Sequence, residues 1–250
     1  YLDAQARVRE AEVATGTVKM AELYRGLIDR FDGRDGKDAE GAVLDWIAAL
    51  QKLDPEAAKP YIAGLDALIA RLNVSKDAAA EGYGPEDVLY QAAVGMDDAG
   101  LKDLAKGLYS RAAGVYGGLA AAAKPELAKG LRMSQARCLL AAGLYAEGAE
   151  VYAGLVKRFP AEYAFHRSYA GALLQLKKYP EALAEADLAA RLSYGDIHSS
   201  IMILKAKIEL AQKDKAAALK TLDEAVAEAE AAKVSSAGLK EYLGKVKASN

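Results

Sequence analysis

The sequence predicts an all-α protein built as an α-solenoid, in which antiparallel helix pairs stack side by side. Ala, Leu, Glu and Lys dominate the chain, and no stretch alternates apolar and polar residues for long enough to form a strand. Clusters of Gly, Pro, Asp, Asn and Ser divide the chain into segments of roughly 12–20 residues joined by short turns. This pattern is typical of consecutive helical hairpins.

The first part of the chain, residues 1–82, is predicted to be a helical segment of degenerate hairpins. Residues 2–30 fit one long amphipathic helix, and residues 39–72 fit a further hairpin with Trp46 at its interface. The helical repeat becomes more regular after this segment. We therefore assign residues 83–250 to an array of repeated hairpins that ends in a capping helix.

Small residues recur at a fixed interval in this second part. Four pairs are each separated by 12 positions: Ala93 and Ala105, Ala136 and Gly148, Ala170 and Ala182, and Ala206 and Ala218. Two antiparallel helices approach closely where each presents almost no side chain, and larger neighbours fill the gaps around that contact. Each pair therefore predicts one hairpin whose two helices touch near the turn.

Two of these hairpins resemble the tetratricopeptide repeat, a helix–turn–helix unit of 34 residues. The matching residues are Ala136, Gly143, Tyr145, Gly148, Tyr152 and Pro160 in one copy, and Ala170, Tyr179, Ala182 and Ala189 in the next. The resemblance covers about residues 86–230, with two good copies and two degraded ones. Arg132 and His166 replace the large aromatic that is usual early in the first helix. The resemblance implies a right-handed superhelix and leaves the function open.

The chain end, residues 234–250, is predicted to form the capping helix. Leu239, Tyr242, Leu243 and Val246 form one apolar stripe along it. The last repeat of a solenoid needs such a helix, with a solvated outer face, to cover its apolar side.

Bulk composition excludes several classes of function. The net charge of −2 and the pI of about 5.9 provide no global positive field for nucleic acid. No apolar run reaches the ~18 residues that a membrane span requires. Because the chain begins with Tyr1, we expect that an upstream segment is missing, which is a signal peptide, a lipoprotein tether, a whole domain or an expression tag. We slightly favour a periplasmic over a cytoplasmic location.

The residues that most often carry chemistry point to no enzyme. Cys138 lies in an apolar helical stretch without a neighbouring His, so it is interpreted as a core residue. His166 and His198 have no i, i+4 partner for a metal. The "DGRDGKD" stretch at 32–38 lacks the ligands of a calcium loop and is interpreted as a polar turn. We assign no catalytic, cofactor-binding or metal-binding residue, and we expect no cofactor.

The family resemblance implies that the first helix of each hairpin lines a concave surface. The residues expected to face it are Met133, Arg137, Arg167, Gly171, Ile203 and Lys207, with Tyr90 and Gln91 extending the surface toward the N-terminus. Three cations that converge in a hollow favour a carboxylate or an acidic segment. The alternative is that each cation pairs with a carboxylate on a neighbouring helix.

These observations lead to a main hypothesis and two alternatives. The main hypothesis is a non-enzymatic binding protein that holds a segment of another protein in its concave groove. One alternative is a periplasmic carrier, part of a transport system, that encloses a lipid or another hydrophobic small molecule. The other is a structural domain attached to an upstream part.

Overall fold

The computed structural model describes residues 85–98 and 100–249 of the 250-residue chain. The predicted N-terminal hairpins, Trp46, the "DGRDGKD" turn and the boundary at residue 82 lie outside the described residues. The described part contains helices and no strand, which confirms the all-α prediction for it. Its helices are α1 (Pro85–Asp98), α2 (Lys102–Ala122), α3 (Pro125–Ala141), α4 (Tyr145–Arg158), α5 (Tyr163–Gln175), α6 (Tyr179–Arg191), α7 (Gly195–Ala211), α8 (Lys215–Ala231) and α9 (Ala237–Ala248).

The described helices belong to two compact units. The first contains α1 and α2, together with the turn at residues 141–143. The second contains the rest of α3 and all of α4 to α9.

The first unit contains one helical hairpin. Ala93 on α1 and Ala105 on α2 are both buried, as the repeat predicts. The Tyr116 hydroxyl, late in α2, donates a hydrogen bond of 2.7 Å to Asp87 at the start of α1. This bond joins the two open ends of the pair, so α1 and α2 run antiparallel.

The hairpins of the second unit are closed by contacts between small residues. A Cβ atom added at Gly148 on α4 would lie 3.5 Å from the Ala136 carbonyl oxygen and 2.6 Å from Leu140 Cδ2 on α3. Ala170 and Ala182 are fully buried in one core cluster that joins α5 and α6. The same arrangement recurs for Ala206 and Ala218 on α7 and α8. The predicted close contact is confirmed for Ala136 and Gly148, and in the other two hairpins both small residues are fully buried in one core cluster.

The turns that end the helices repeat one backbone geometry. A residue in the left-handed region ends α1, α3, α5, α7 and α8, namely Gly100, Gly143, Lys177, Lys213 and Lys233. The next backbone N–H bonds the carbonyl five residues earlier, as from Lys178 to Leu173 at 2.9 Å and from Asp214 to Glu209 at 3.0 Å. This is the Schellman arrangement, for which glycine is the usual residue. The turn geometry is therefore kept where lysine replaces glycine.

Neighbouring hairpins pack through α5 and α7 as well as through α6 and α7. α5 packs against α7, and α7 packs against α9. Within the described second unit, no packing of that extent joins the second helices α6 and α8. That the first helices α3, α5 and α7 line a concave side stays a prediction; we call them the inner helices, and α4, α6 and α8 the outer helices.

The capping helix closes the last core cluster, as predicted. Leu239, Leu243 and Val246 on α9 are buried against α7 and α8. Tyr242 is partly buried at the edge of the same cluster.

Histidine replaces the usual aromatic residue at one junction between hairpins. His166 on α5 is buried, and its Nε2 atom donates to the Pro160 carbonyl at 3.0 Å. Its Nδ1 atom lies 2.6 Å from Glu185 Oε2 on α6. His198 on α7 is held in a similar way, with Nδ1 3.0 Å from the Ala190 carbonyl oxygen and Nε2 3.4 Å from Glu228 Oε2. Both imidazoles therefore connect neighbouring helices.

A carboxyl group is buried inside the last hairpin. Glu209 on α7 is 7% exposed, and its Oε1 atom accepts a 3.0 Å hydrogen bond from the Thr221 hydroxyl on α8. Its Oε2 atom has no hydrogen-bond partner among the described residues. Burial raises the pKa of Glu209 above the usual 4.5, against the lowering effects of the Thr221 hydrogen bond and the Lys205 charge.

The contact at Ala170 provides a test of the packing. We expect Ala170→Leu to lower the free energy of unfolding by about 1–3 kcal/mol, because the added atoms overpack the α5–α6 contact. Chemical denaturation measures the change. Ala184→Leu, on the exposed side of α6, is the matched control and should change stability by less than about 0.5 kcal/mol. Equal stability of the two variants would contradict the assigned contact.

Glu209 provides a second test, through the pH dependence of stability. Because the folded state keeps the proton to a higher pH than the unfolded state, stability falls as the pH rises from about 4.5 through the folded-state pKa. We expect Glu209→Gln to stabilise the protein by about 1 kcal/mol at pH 7, since it removes the buried charge. This gain should vanish below pH 4. The control Glu224→Gln alters an exposed carboxyl group, and an equal gain there would contradict the account.

Candidate functional site

One side of α5 faces away from both helices that flank it. Phe165 and Ala170 belong to the core clusters toward α4 and α6. Arg167 and Gly171 lie one helical turn apart on the remaining side, where Arg167 is exposed and Gly171 is partly buried. The residues predicted for this helix therefore share one accessible face.

The neighbouring inner helix α7 presents Lys207. Its side chain is exposed, and its Nζ atom lies 5.6 Å from the ring centroid of Tyr242 on α9. An ammonium group at this distance from an aromatic face is attracted by the ring quadrupole. Ile203, one turn earlier on α7, is partly buried and packs against the last core cluster. The predicted apolar patch at Ile203 is therefore shared with the core.

The third inner helix, α3, presents Met133 and Arg137. Met133 is partly buried against the cluster that joins α3, α4 and α5, while Arg137 is exposed. Burial raises the pKa of Tyr152 on α4, although its hydrogen bond with Ser168 and the nearby charge of Arg137 act in the opposite direction. The charge of Arg137 therefore acts on the hydroxyl of a core tyrosine.

The cations that form long-range ion pairs within the second unit are residues other than Arg167 and Lys207. Lys129 on α3 pairs with Glu162 at 2.5 Å, and Lys205 on α7 pairs with Asp187 at 2.7 Å. Arg167 and Lys207 form no ion pair with any residue that the structure describes. Within the part of the chain that the structure describes, these two cations are therefore not neutralised by a carboxylate.

Charge is distributed unevenly between the inner and outer helices. The inner helices α3, α5 and α7 carry six Lys and Arg residues against three Asp and Glu residues. The outer helices α4, α6 and α8 carry five Lys and Arg residues against nine Asp and Glu residues. The inner helices are thus the more positive ones, although the chain as a whole is slightly negative.

Tyr90 and Gln91 lie on α1 in the first unit. The Tyr90 ring makes an edge contact with Tyr109 on α2, with centroids 5.9 Å apart, and Gln91 is exposed. That these two residues extend the surface of the second unit stays a prediction.

Sequence reasoning missed the contribution of the capping helix to this surface. Tyr242 was expected to belong to the apolar stripe of α9, yet its ring also lies beside Lys207. Burial raises the pKa of Tyr242. Tyrosine often has a packed ring and an accessible hydroxyl at such an edge, which is the signal that was available in the sequence.

The single cysteine of the chain has a structural role. Cys138 is fully buried on α3, as expected for a core residue. None of the described helices combines the length and the apolar character that crossing a bilayer requires.

Comparisons with known proteins find similar solved structures. No family model and no curated protein matches the chain. The chain is similar to the TPR2AB domain–pHSP90 complex of yeast Sti1, with 18% identity, coverage of 98% of this chain and 97% of that chain, and a TM-score of 0.40. It is also similar to a tetratricopeptide repeat protein from Parabacteroides merdae, with 13% identity, coverage of 99% of this chain and 98% of that chain, and a TM-score of 0.37. A third similar structure is the apo form of the quorum sensor NprR from B. thuringiensis, with 13% identity, coverage of 97% of this chain and 67% of that chain, and a TM-score of 0.43. The fold assignment rests on the helix pairs of this chain, and these likenesses do not identify a partner.

Proposed function

We propose that the second unit is a non-enzymatic binding module that holds an acidic segment of another protein along α5 and α7. The observation that carries this proposal is the pair Arg167 and Lys207. Both are exposed on packed inner helices, and neither has a carboxylate partner among the described residues. Because the inner helices are more positive than the outer helices, an acidic segment is attracted to the side on which Arg167 and Lys207 lie.

The energetics assign different roles to the cations and the apolar residues. An exposed ion pair contributes only about 0.2–1 kcal/mol, so two cations provide selectivity and association rate more than affinity. Apolar contact must supply the rest of the binding energy. Met133 and Ile203, which are partly buried, offer apolar atoms at the inner surface.

The positions of the usual catalytic side chains support a non-enzymatic role. His166 and His198 are the two histidines of the chain, and both connect neighbouring helices through a carbonyl and a carboxylate. Cys138 is the single cysteine and is buried. General-base and nucleophilic chemistry therefore lacks its commonest residues at this surface.

The alternative functions stay predictions. No observation in the described residues favours a periplasmic carrier of a lipid or another hydrophobic small molecule over the binding module. The same holds for the periplasmic location and for the structural domain.

Charge reversal at the surface tests the proposed function. An array of 12-residue peptides with matched apolar content, half of them acidic and half basic, serves as the probe. We expect the wild-type chain to bind the acidic peptides preferentially, and Arg167→Glu with Lys207→Glu to lower their affinity at least about tenfold. The loss combines two missing attractions with two new repulsions.

A matched control introduces the same change of net charge on the outer helices instead of the inner ones. Lys157→Glu with Lys220→Glu alters exposed residues of α4 and α8 and should leave peptide binding within about twofold. Unchanged binding of the acidic peptides by the inner-surface variant, or an equal loss in the control, would contradict the proposal.

A further inference from the structure

We propose that Phe159, Glu162 and Phe165 form a binding site for a methylated ammonium group, which the side chain of Lys129 fills when no ligand is bound. The ligand is a singly charged organic cation, either free or at the end of a methylated lysine side chain. The site is independent of the acidic segment proposed for α5 and α7, because it uses other residues and takes the opposite charge.

The site already holds an ammonium group in this structure. The Lys129 Nζ atom, on α3, lies 4.9 Å from the ring centroid of Phe159 and 5.5 Å from that of Phe165. It also lies 2.5 Å from Glu162 Oε1. The two ring centroids are 6.0 Å apart, with an angle of 58° between the ring planes. Two aromatic faces and one carboxylate thus surround a single cation, and this set of groups recognises ammonium ligands.

The turn between α4 and α5 positions the three groups that surround the cation. The Glu162 N–H donates to the Phe159 carbonyl at 3.2 Å, and the Phe165 N–H donates to the Glu162 carbonyl at 3.0 Å. Phe165 is 2% exposed in a core cluster, and Phe159 packs against the same cluster. The hydrogen bond from His166 to the Pro160 carbonyl fixes the turn further. These contacts do not involve the lysine, so the site keeps its shape when the lysine leaves.

Lys129 is held loosely enough for a ligand to replace it. Its side chain is 35% exposed and that of Glu162 is 45% exposed, so the ion pair is partly solvated. Partly exposed ion pairs contribute little to stability. The preceding residues of α3, 125–127, are exposed, so the start of this helix is not packed around the lysine. The lysine therefore acts as a weak internal competitor for the site.

Methylation of the ammonium group favours the ligand over the lysine. A lysine ammonium is compact and strongly hydrated, so it gives up water contacts when it lies against two aromatic rings. Methyl groups weaken this hydration and add apolar area that the rings can cover, while the charge still attracts Glu162. Arg158 lies beside the same Phe159 ring, with Cζ 5.6 Å from its centroid. This second positive charge disfavours ligands that carry more than one.

Choline and its neutral carbon analogue, 3,3-dimethylbutan-1-ol, test the site with the full chain. NMR titration at constant ionic strength measures the dissociation constants. We expect choline to bind wild-type protein in the millimolar range, with NOEs from its methyl protons to the Phe159 and Phe165 rings. The neutral analogue has the same shape and should bind at least about tenfold more weakly. Lys129→Ala should tighten choline binding about three- to tenfold, since it removes the competing ammonium.

Matched variants separate the site from indirect effects. Phe159→Leu keeps an apolar side chain but removes one aromatic face, so it should weaken choline binding at least about threefold. Glu162→Gln removes the attracting charge and should weaken it by a similar factor, which provides a test even if Phe159→Leu does not fold. Lys157→Ala removes an exposed lysine of α4 and should leave choline binding within about twofold of wild type.

A peptide distinguishes the two sources of the cation. The probe is an 11-residue peptide of Gly and Ser with one central trimethyllysine, compared with the same peptide carrying unmodified lysine. Binding at least about tenfold tighter than that of choline supports a methylated side chain of a partner protein as the ligand. Equal affinities of the trimethyllysine peptide and choline support a free organic cation. In both cases the unmodified peptide should bind more weakly than the methylated one.

Three results would overturn the proposal. The first is the absence of choline binding in both wild-type protein and Lys129→Ala. The second is equal binding of choline and its neutral analogue, which would show that charge is not recognised. The third is binding in Lys129→Ala alone, which would show that the lysine is a permanent part of the fold. The effect of charge reversal at Arg167 and Lys207 on acidic peptides is measured separately, so each proposal can fail without the other.

Discussion

The close approach of two helices at small residues is the constraint on which the second unit depends. At Gly148 an added methyl group would lie 2.6 Å from Leu140 Cδ2, so the Leu140 side chain would have to shift, and 3.5 Å from the Ala136 carbonyl oxygen, which is an ordinary contact. Ala170 and Ala182 remove side-chain bulk in the same way in the next hairpin. With the helices this close, the Schellman turn joins them in a few residues, and larger side chains fill the clusters on either side of the contact.

This packing also creates the surface on which the proposed function rests. α5 packs against α7, and each of these two helices keeps exposed positions between its packed sides. Arg167 and Lys207 lie at these exposed positions, and Lys205, on a different side of α7, is paired with Asp187. The distinction between a structural cation and a binding cation therefore follows from the helix face on which each residue lies.

The fold was more predictable from the sequence than the details of the surface. The 12-residue interval between small residues predicts the helix pairs, because residues without bulky side chains mark the positions at which two helix backbones can approach each other closely. Other features depend on contacts between distant residues. Lys207 and Tyr242 are 35 positions apart, and Glu209 occupies a buried position that periodicity assigns to an apolar residue. Lys177 and Lys213 adopt the left-handed conformation without the glycine that signals it.

Methyl NOE spectroscopy tests the packing of the helix pairs most directly. In a sample labelled at alanine methyl groups, the account predicts strong cross-peaks between Ala170 and Ala182 and between Ala206 and Ala218, because both residues of each pair are fully buried in one core cluster. Ala184, exposed on α6, should show no cross-peak to α5. Absence of both predicted cross-peaks in a folded sample would contradict the central claim that small residues bring the two helices of each hairpin together.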